Sequence, residues 1–534
     1  MKLRRRDFLK AAAATSIAAP TLAAPSLALG AEQRVMKFTP QADLSVIDPI
    51  WTTATVTRNH AFLVFDTLYG QDNSYRATPQ MAEGATTEND GKLWKIVLRP
   101  GLKFHDGSAV LARDCVASIQ RWGKRDAFGQ ALLAATDELS APDDKTIRFR
   151  LKRPFPLLPD ALGKCTALPP SIMPERIAKT DAFTQITEMV GSGPYKFVPS
   201  ERLIGTRTVY ERFPDYKPRE NGTPQWTSGP KIANFDRVEW ITIPDTSTAA
   251  SALQTGEIDW LEQPSPDLQP LLAKDKTVTV AIKDPTGAIA IMRMNQLVPP
   301  FDNPAIRRAL LGAVDQDEYM VAVAGSDKEM WRTGVGVFLP GSPLENDAGM
   351  EALNGKRDVE KVKRELKAAG YKDEKIVILG VTDLANLKAE GDVGSDMLMK
   401  CGMNVDYQTM DWGTVVARRA KKETPEQGGW NIFFTGWGGI DMLNPVGHLS
   451  LRGNGLDAWF GWPTAPKLEE LRNAWIEAPD AATQKKLAAE IQKQVFIDVP
   501  YIPLGQYYLP VAFKKYVTGV LTGFPIFWNV KKET

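Results

Sequence analysis

The feature that most constrains this chain is a change of periodicity near Asn303. From there onward, apolar stripes at helical spacing alternate with short apolar runs of strand length. Asn303 can cap a helix with Pro304 at its first position, and Ile306, Ala309, Leu310, Ala313 and Val314 form one helical face. Asp315 with Glu318 reads as a capping pair for the next helix. A helix closed by Gly370 leads to a strand at Ile376-Val377-Ile378-Leu379, a helix around Asp396, and a strand at Val405-Asp406-Tyr407. A helix through Val415-Val416 and a strand at Ile432-Phe433-Phe434 complete the series. Such alternation implies an α/β layer with helices on both faces of a sheet.

The text before Met294 is different. Leu93 to Arg99 alternates like a strand and stops at Pro100-Gly101, and Phe104 to Gly107 ends a second strand in an Asp-Gly turn. Cys115, Ile119 and Trp122 mark one helical face, and more strands fall between Gly191 and Pro244 around a Gly/Pro-rich loop, Pro214 to Pro230. That loop is long enough for function or disorder. Strand-rich texture returns near Pro500, so the chain crosses between two kinds of layer twice. At 534 residues it is too long for one core. Two crossings suit two lobes around a hinge.

Composition removes several classes. A net charge of +1, from 65 basic and 64 acidic residues, implies no nucleic-acid-binding face. Three cysteines allow at most one disulfide, and three histidines (His60, His105, His448) are too scattered to build a metal site. His105 sits in a turn, where a structural role is expected. There is no G-x-S-x-G, H-E-x-x-H, G-K-[ST] or G-x-G-x-x-G pattern, so no catalytic residue, metal or cofactor is assigned.

Residues 1–30 read as an export leader. Arg4-Arg5-Arg6-Asp7-Phe8-Leu9-Lys10 precedes an uncharged Ala-rich run to Leu29, and Ala28-Leu29-Gly30 supplies small residues for cleavage. The R-R-x-F-L-K core, with Arg5 and Arg6, looks like a twin-arginine signal read by the twin-arginine export machinery. Cleavage there leaves a net charge of −3, and no cysteine near the site offers a lipid anchor. The expected location is the periplasm, as a soluble protein.

Many segments, in order, resemble the family 5 solute-binding proteins of ABC importers, the dipeptide, oligopeptide and nickel-chelate receptors. The densest are Pro79-Gln80-Met81-Ala82-Glu83, Asp90-Gly91-Lys92-Leu93-Trp94 and Leu98 through Gly107, followed by Ala112-Arg113-Asp114 and Ser118-Ile119-Gln120-Arg121. Further pieces are Gly191-Ser192-Gly193-Pro194-Tyr195, Thr255-Gly256-Glu257-Ile258-Asp259, Met294-Asn295 with Pro300-Phe301, Arg307-Arg308-Ala309, Ala368-Ala369-Gly370-Tyr371 and Pro500-Tyr501-Ile502-Pro503-Leu504. The resemblance implies an α/β fold of the periplasmic-binding-protein type II-like kind, two lobes around a hinge with an inserted subdomain. The corresponding division is 31–75 (lobe I, first part), 76–190 (inserted subdomain), 191–293 (lobe I, second part), 294–500 (lobe II) and 501–534 (lobe I, C-terminal part). It also implies a monomeric, non-enzymatic receptor that closes on a small solute, a short peptide or amino-acid derivative. The receptor would hand its solute to an ABC permease and its ATPase subunits. A metal chelate, sugar or opine-like ligand is the alternative, and an exported hydrolase or peptide-holding chaperone the more distant one.

Site candidates follow from the segment Gly436 to Pro445, which lies at the carboxyl end of the Ile432–Phe434 strand, where open α/β sheets bind ligands. Peptide-binding relatives carry a Trp and, three residues on, an Asp that pairs with the ligand's α-ammonium. Here Trp437 is followed by Asp441 one residue late, while the spacing from Asp441 to Pro445 is kept. A loop-capping role competes with ligand binding for Asp441. Trp437, Trp459 and Trp462 could offer flat faces to a ligand or serve as core aromatics. Trp51 and Thr53, just after Asp48-Pro49, sit where the family's first loop nears the cleft, and Asn295 is the hinge candidate. No arginine for a ligand carboxylate is identified.

Overall fold

The computed structural model describes residues 34–533. The leader, with Arg5 and Arg6, lies outside the described residues.

Three sheets carry the architecture. Lobe I is built on seven strands in the order Val278–Ile282, Pro510–Lys514, Trp260–Leu261, Val35–Thr39, Arg237–Ile241, Arg207–Arg212, Tyr195–Phe197. Val35–Thr39 runs parallel to both its neighbours, and the other pairs are antiparallel. Lobe II holds six strands in the order Trp331–Arg332, Ile502–Tyr507, Ala288–Met294, Ile432–Gly438, Lys375–Val381, Asn404–Met410. The inserted subdomain is an antiparallel sheet of Ala82–Glu88, Leu93–Leu98, Thr146–Leu151 and Thr136–Ser140. The expected helix face of Cys115, Ile119 and Trp122 is buried on the helix Ala112–Trp122, which packs beside that sheet.

Helix termini follow their local chemistry. Asn303 Oδ1 accepts from Ala305 N at 2.9 Å, with Pro304 in the first turn. Asp315 caps Gln316–Ala324, but Glu318 does not reach back to complete a capping box; its carboxylate pairs with Arg357 instead. Gly256 and Gly370 take left-handed φ of 83° and 95° where their helices stop, a conformation that costs glycine nothing.

Sheet membership corrects the expected lobe boundaries. Ala288–Met294 is flanked by Ile432–Gly438 and Ile502–Tyr507, so all three strands belong to lobe II. The chain crosses between the lobe sheets at 283–287 and 508–509, rather than at 293–294 and 500–501. A strand buried on both faces reads as the same apolar run whichever sheet it joins, so periodicity could not assign it. The strands Tyr69–Gln71 and Ala77–Pro79 pair with each other across the expected 75/76 boundary.

Asn295 is likewise not at a crossing. It lies past the far end of Ala288–Met294, fully buried, donating from Nδ2 to the Trp430 carbonyl at 3.0 Å and accepting from Leu297 N at 3.1 Å. It fastens lobe II to itself.

The loop Pro214–Pro230 is a strap: Trp226 is buried against Phe62, Phe524 and Trp528, and Tyr216 and Lys231 converge on Asp66 at 2.9 and 2.6 Å. His105 bonds the Gly193 carbonyl at 3.0 Å, and burial holds its pKa at about 4. Cys115, Cys165 and Cys401 are all free and buried. Among the described residues no helix is long and apolar enough to cross a membrane.

Candidate functional site

Between the lobes lie neighbouring chambers that share lining residues. The central one, about 130 Å³, is lined by Thr53, Arg58, Glu262, Asp284, Arg419, Trp437, Asp441, Trp459 and Tyr507 among others. A hinge-side chamber of about 360 Å³ joins it through Gln41, Gln263, Asn386 and Tyr507, and an outer chamber of about 600 Å³ joins it through Thr53 and Trp459. Small-molecule sites usually span roughly 300–1,000 Å³. The central chamber alone is therefore too small for a ligand, which must reach into a neighbour.

Asp441 sits where the strand Ile432–Gly438 gives way to the short helical turn Gly439–Met442. The strand end is clamped to the first lobe crossing, because Gly439 N donates to the Gly287 carbonyl at 2.8 Å. A Cβ on Gly439 would lie 2.2 Å from the Thr286 carbonyl oxygen, so only glycine allows this approach. Asp441 does not cap the turn it sits in; its carboxylate accepts from Ala167 N of the inserted subdomain at 3.2 Å. Burial raises its pKa, with Lys164 and Arg58 opposing. The Lys164 ammonium itself is engaged by Asp126 at 2.7 Å.

Two more carboxylates share the central chamber. Glu262 accepts from Asn59 Nδ2 and Gln41 N, both at 2.8 Å, and Asp284 accepts from Thr286 N and Oγ1 at 2.9 and 2.6 Å. Burial pushes both pKa values upward. Arg58, on the helix Thr55–Val64, stacks 4.1 Å from the Phe524 ring centroid and donates to Asn59 Oδ1.

Facing them is Arg419. Its guanidinium carbon lies 5.1 to 5.6 Å from the ring centroids of Trp412, Phe433, Trp459 and Phe460. Nη2 makes long contacts to Thr53 and Thr52 hydroxyls at 3.3 and 3.5 Å, and Nε has no partner among the described residues. No carboxylate lies within 4 Å among the described residues, and burial brings its pKa down to about 9. An unpaired buried cation is costly, so this geometry is suited to an anionic group brought by a ligand.

The aromatic wall is fixed from behind. Trp437 and Trp459 meet edge to face at 5.0 Å. Arg293, buried beneath Trp459, donates to the carbonyls of Trp459, Phe460, Ser450 and Pro500 at 2.5 to 3.1 Å. The indole N–H groups of Trp437 and Trp459 are unpartnered among the described residues. Trp51 and Trp462 line the outer chamber only, and Thr53 lines both. Below the cleft floor, Asn386 donates to the Tyr507 hydroxyl at 2.7 Å, and the fully buried Glu390 lies beside Tyr507 with no cation paired to it among the described residues.

Asp441, Trp437, Trp459 and Thr53 thus come together around one chamber, Trp51 stands next door, and Asn295 is elsewhere. The sequence reading missed Arg58, Arg419, Glu262 and Asp284. Arg419 did leave a signal: it stands four residues after the buried Val415, an arginine on the apolar face of its segment.

The family model described as bacterial extracellular solute-binding proteins, family 5 Middle, matches residues 76–455. A probable peptide ABC transporter periplasmic-binding protein of Sinorhizobium fredii is 36% identical over 537 residues, covering 100% of both chains. A glutathione-binding protein of Pectobacterium atrosepticum is 27% identical over 489 residues, covering 89% of this chain and 88% of its own. Two solved structures share the fold, each with a TM-score of 0.77 and covering 94% of this chain and 99% of theirs. They are DppA of Helicobacter pylori in complex with the peptide STSA, at 23% identity, and AgaA of A. tumefaciens R10 in complex with agropinic acid, at 22%. Two lobes with an inserted subdomain, a charged cleft between them and a match across most of the chain all agree: the protein belongs to the family 5 bacterial extracellular solute-binding proteins, the receptors of ABC importers.

Proposed function

We propose that this receptor captures an amphoteric solute, a short peptide or amino-acid derivative, with its cationic nitrogen toward Asp441, Asp284 and Glu262 and its carboxylate on Arg419. The observation that carries the reading is Arg419: a buried guanidinium with no carboxylate within 4 Å among the described residues, in the same chamber as the buried Asp441 and Glu262 and the half-buried Asp284. Each ligand charge meets a site charge of opposite sign in a desolvated cleft, where such pairs are strongest. The S. fredii relative's peptide-transport name and the Pectobacterium relative's glutathione support the same ligand class. An opine-like ligand is the second reading, favoured by the amide groups of Gln41, Gln263 and Asn386 around the chamber, which suit sugar hydroxyls. As a family member the chain is a receptor rather than an enzyme, and it works with an ABC permease.

We further infer export by the twin-arginine route, a monomeric state, and a closure in which the segments 283–287 and 508–509 bend. Ligand would select the closed state through contacts to both lobes. The test is mass spectrometry of small molecules released by denaturing freshly purified protein, beside Arg419→Met. Molecules bearing both a basic nitrogen and a carboxylate should leave the wild type and be missing from the variant. A solute lacking either group would refute the reading.

A further inference from the structure

We propose that the outer chamber is a second anion subsite, so that the physiological ligand is elongated and carries an additional carboxylate beyond the one on Arg419. This rests on the amphoteric reading of the central chamber and names the ligand more narrowly.

Volume requires an extension, since the central chamber holds only about 130 Å³ and opens past Thr53 and Trp459 into about 600 Å³. Charge selects the direction. Lys124, Arg125 and Lys422 line the outer chamber against a single acid, Asp457, and among the described residues none of the three cations has a carboxylate within 4 Å. The hinge-side chamber is the opposite: among the described residues it carries Asp43, Asp383 and Asp411 and no lysine or arginine. The cleft is therefore polarised along its length, acidic toward the crossings and basic toward the mouth.

Arg125 is positioned for this task. Its guanidinium carbon lies 5.1 Å from the ring centroids of both Trp51 and Phe183, and Nη2 donates to the Trp51 carbonyl at 3.1 Å. The nearby Asp48 does not neutralise it, because that carboxylate is fully used by Arg121 at 2.7 Å and by the Ile50 and Ile186 amides. A guanidinium held flat with most of its N–H groups uncommitted is pre-organised for bidentate carboxylate recognition. Across the chamber, Lys422 from lobe II stands over Trp462 at 5.6 Å. The walls come from lobe I, the inserted subdomain and lobe II, so a carboxylate there would also favour closure.

The test uses an equimolar library of synthetic dipeptides, tripeptides and N-carboxyalkyl amino acids. Each member with an extra carboxylate is matched to a twin bearing the amide. The mature protein is incubated with the library and separated, and bound members are counted by mass spectrometry for wild type, Arg125→Gln/Lys422→Gln and Lys422→Gln. Wild type should retain the carboxylate member over its amide twin by about tenfold or more. The double variant should bring that ratio near one while holding the amide twins as before. Lys422→Gln, at an exposed position, should lower the ratio in part, and it decides the matter if the double variant does not fold. Amide twins retained with a wild-type ratio near one, or a ratio unmoved in a folded variant, overturns the subsite alone. No retention of any amphoteric member overturns the central reading and this one with it.

Discussion

Glu390 offers a test that needs no ligand. Its side chain is fully buried on the helix Ala385–Lys400 beside the Tyr507 hydroxyl, and among the described residues the titratable groups against it, Tyr319 and Tyr507, bring no cation. Burial therefore raises its pKa well above the carboxylate range, and the folded protein keeps the proton. In the unfolded chain the same group ionises at about 4.3. From that pH up to its folded pKa the native state holds one more proton than the unfolded state, so stability falls with rising pH by about 1.4 kcal/mol per unit. Glutamine matches the shape and has no proton to lose. The stability difference between Glu390→Gln and wild type should thus grow in the variant's favour as the pH rises, for as long as the folded protein keeps the proton. Urea unfolding at pH 5, 6 and 7, followed by tryptophan fluorescence, measures it. Any fixed cost of the amide shifts the variant equally at every pH and leaves the slope difference intact. Parallel stability curves for the two proteins over this range would mean that Glu390 is ionised in the fold, and would refute the argument.

Asp441→Ala should weaken binding of the identified ligand by about 1–3 kcal/mol, roughly 5- to 150-fold in calorimetry, because the ligand's cation loses one of the three acids that face it in a closed cleft. Since burial raises the Asp441 pKa, wild-type affinity should begin to fall with decreasing pH before an ordinary carboxylate would protonate; wild-type affinity in folded Asp441→Ala sinks both expectations. Gly439→Ala should cost about 1–3 kcal/mol in thermal or urea unfolding, because its Cβ would meet the Thr286 carbonyl at 2.2 Å, whereas Gly84→Ala, with nothing within 4 Å, should be nearly neutral. Replacing Arg5 and Arg6 together by Lys should stop export, read by fractionation and immunoblot; unchanged periplasmic accumulation would reassign the leader to the general secretory route.

Local order was legible because it depends on local chemistry. The caps at Asn303 and Asp315, the stop at Gly370, and the strand–helix alternation after Asn303 are fixed within a few residues by backbone hydrogen bonding and side-chain period, and the chain alone announced them. Trp437 and Asp441 were equally readable, as residues at the carboxyl end of a strand. Which sheet receives Ala288–Met294 and Ile502–Tyr507 was not, because an all-buried strand presents the same apolar text to any partner. The charges of the cleft were hidden for a related reason. Arg58, Glu262, Asp284 and Arg419 are scattered over more than 350 residues of sequence, and each looks like an ordinary surface charge until folding removes the water around it. Burial and unpaired charge belong to the whole packing, so only the tertiary structure could decide that one arginine among aromatic rings faces three acids across a cleft.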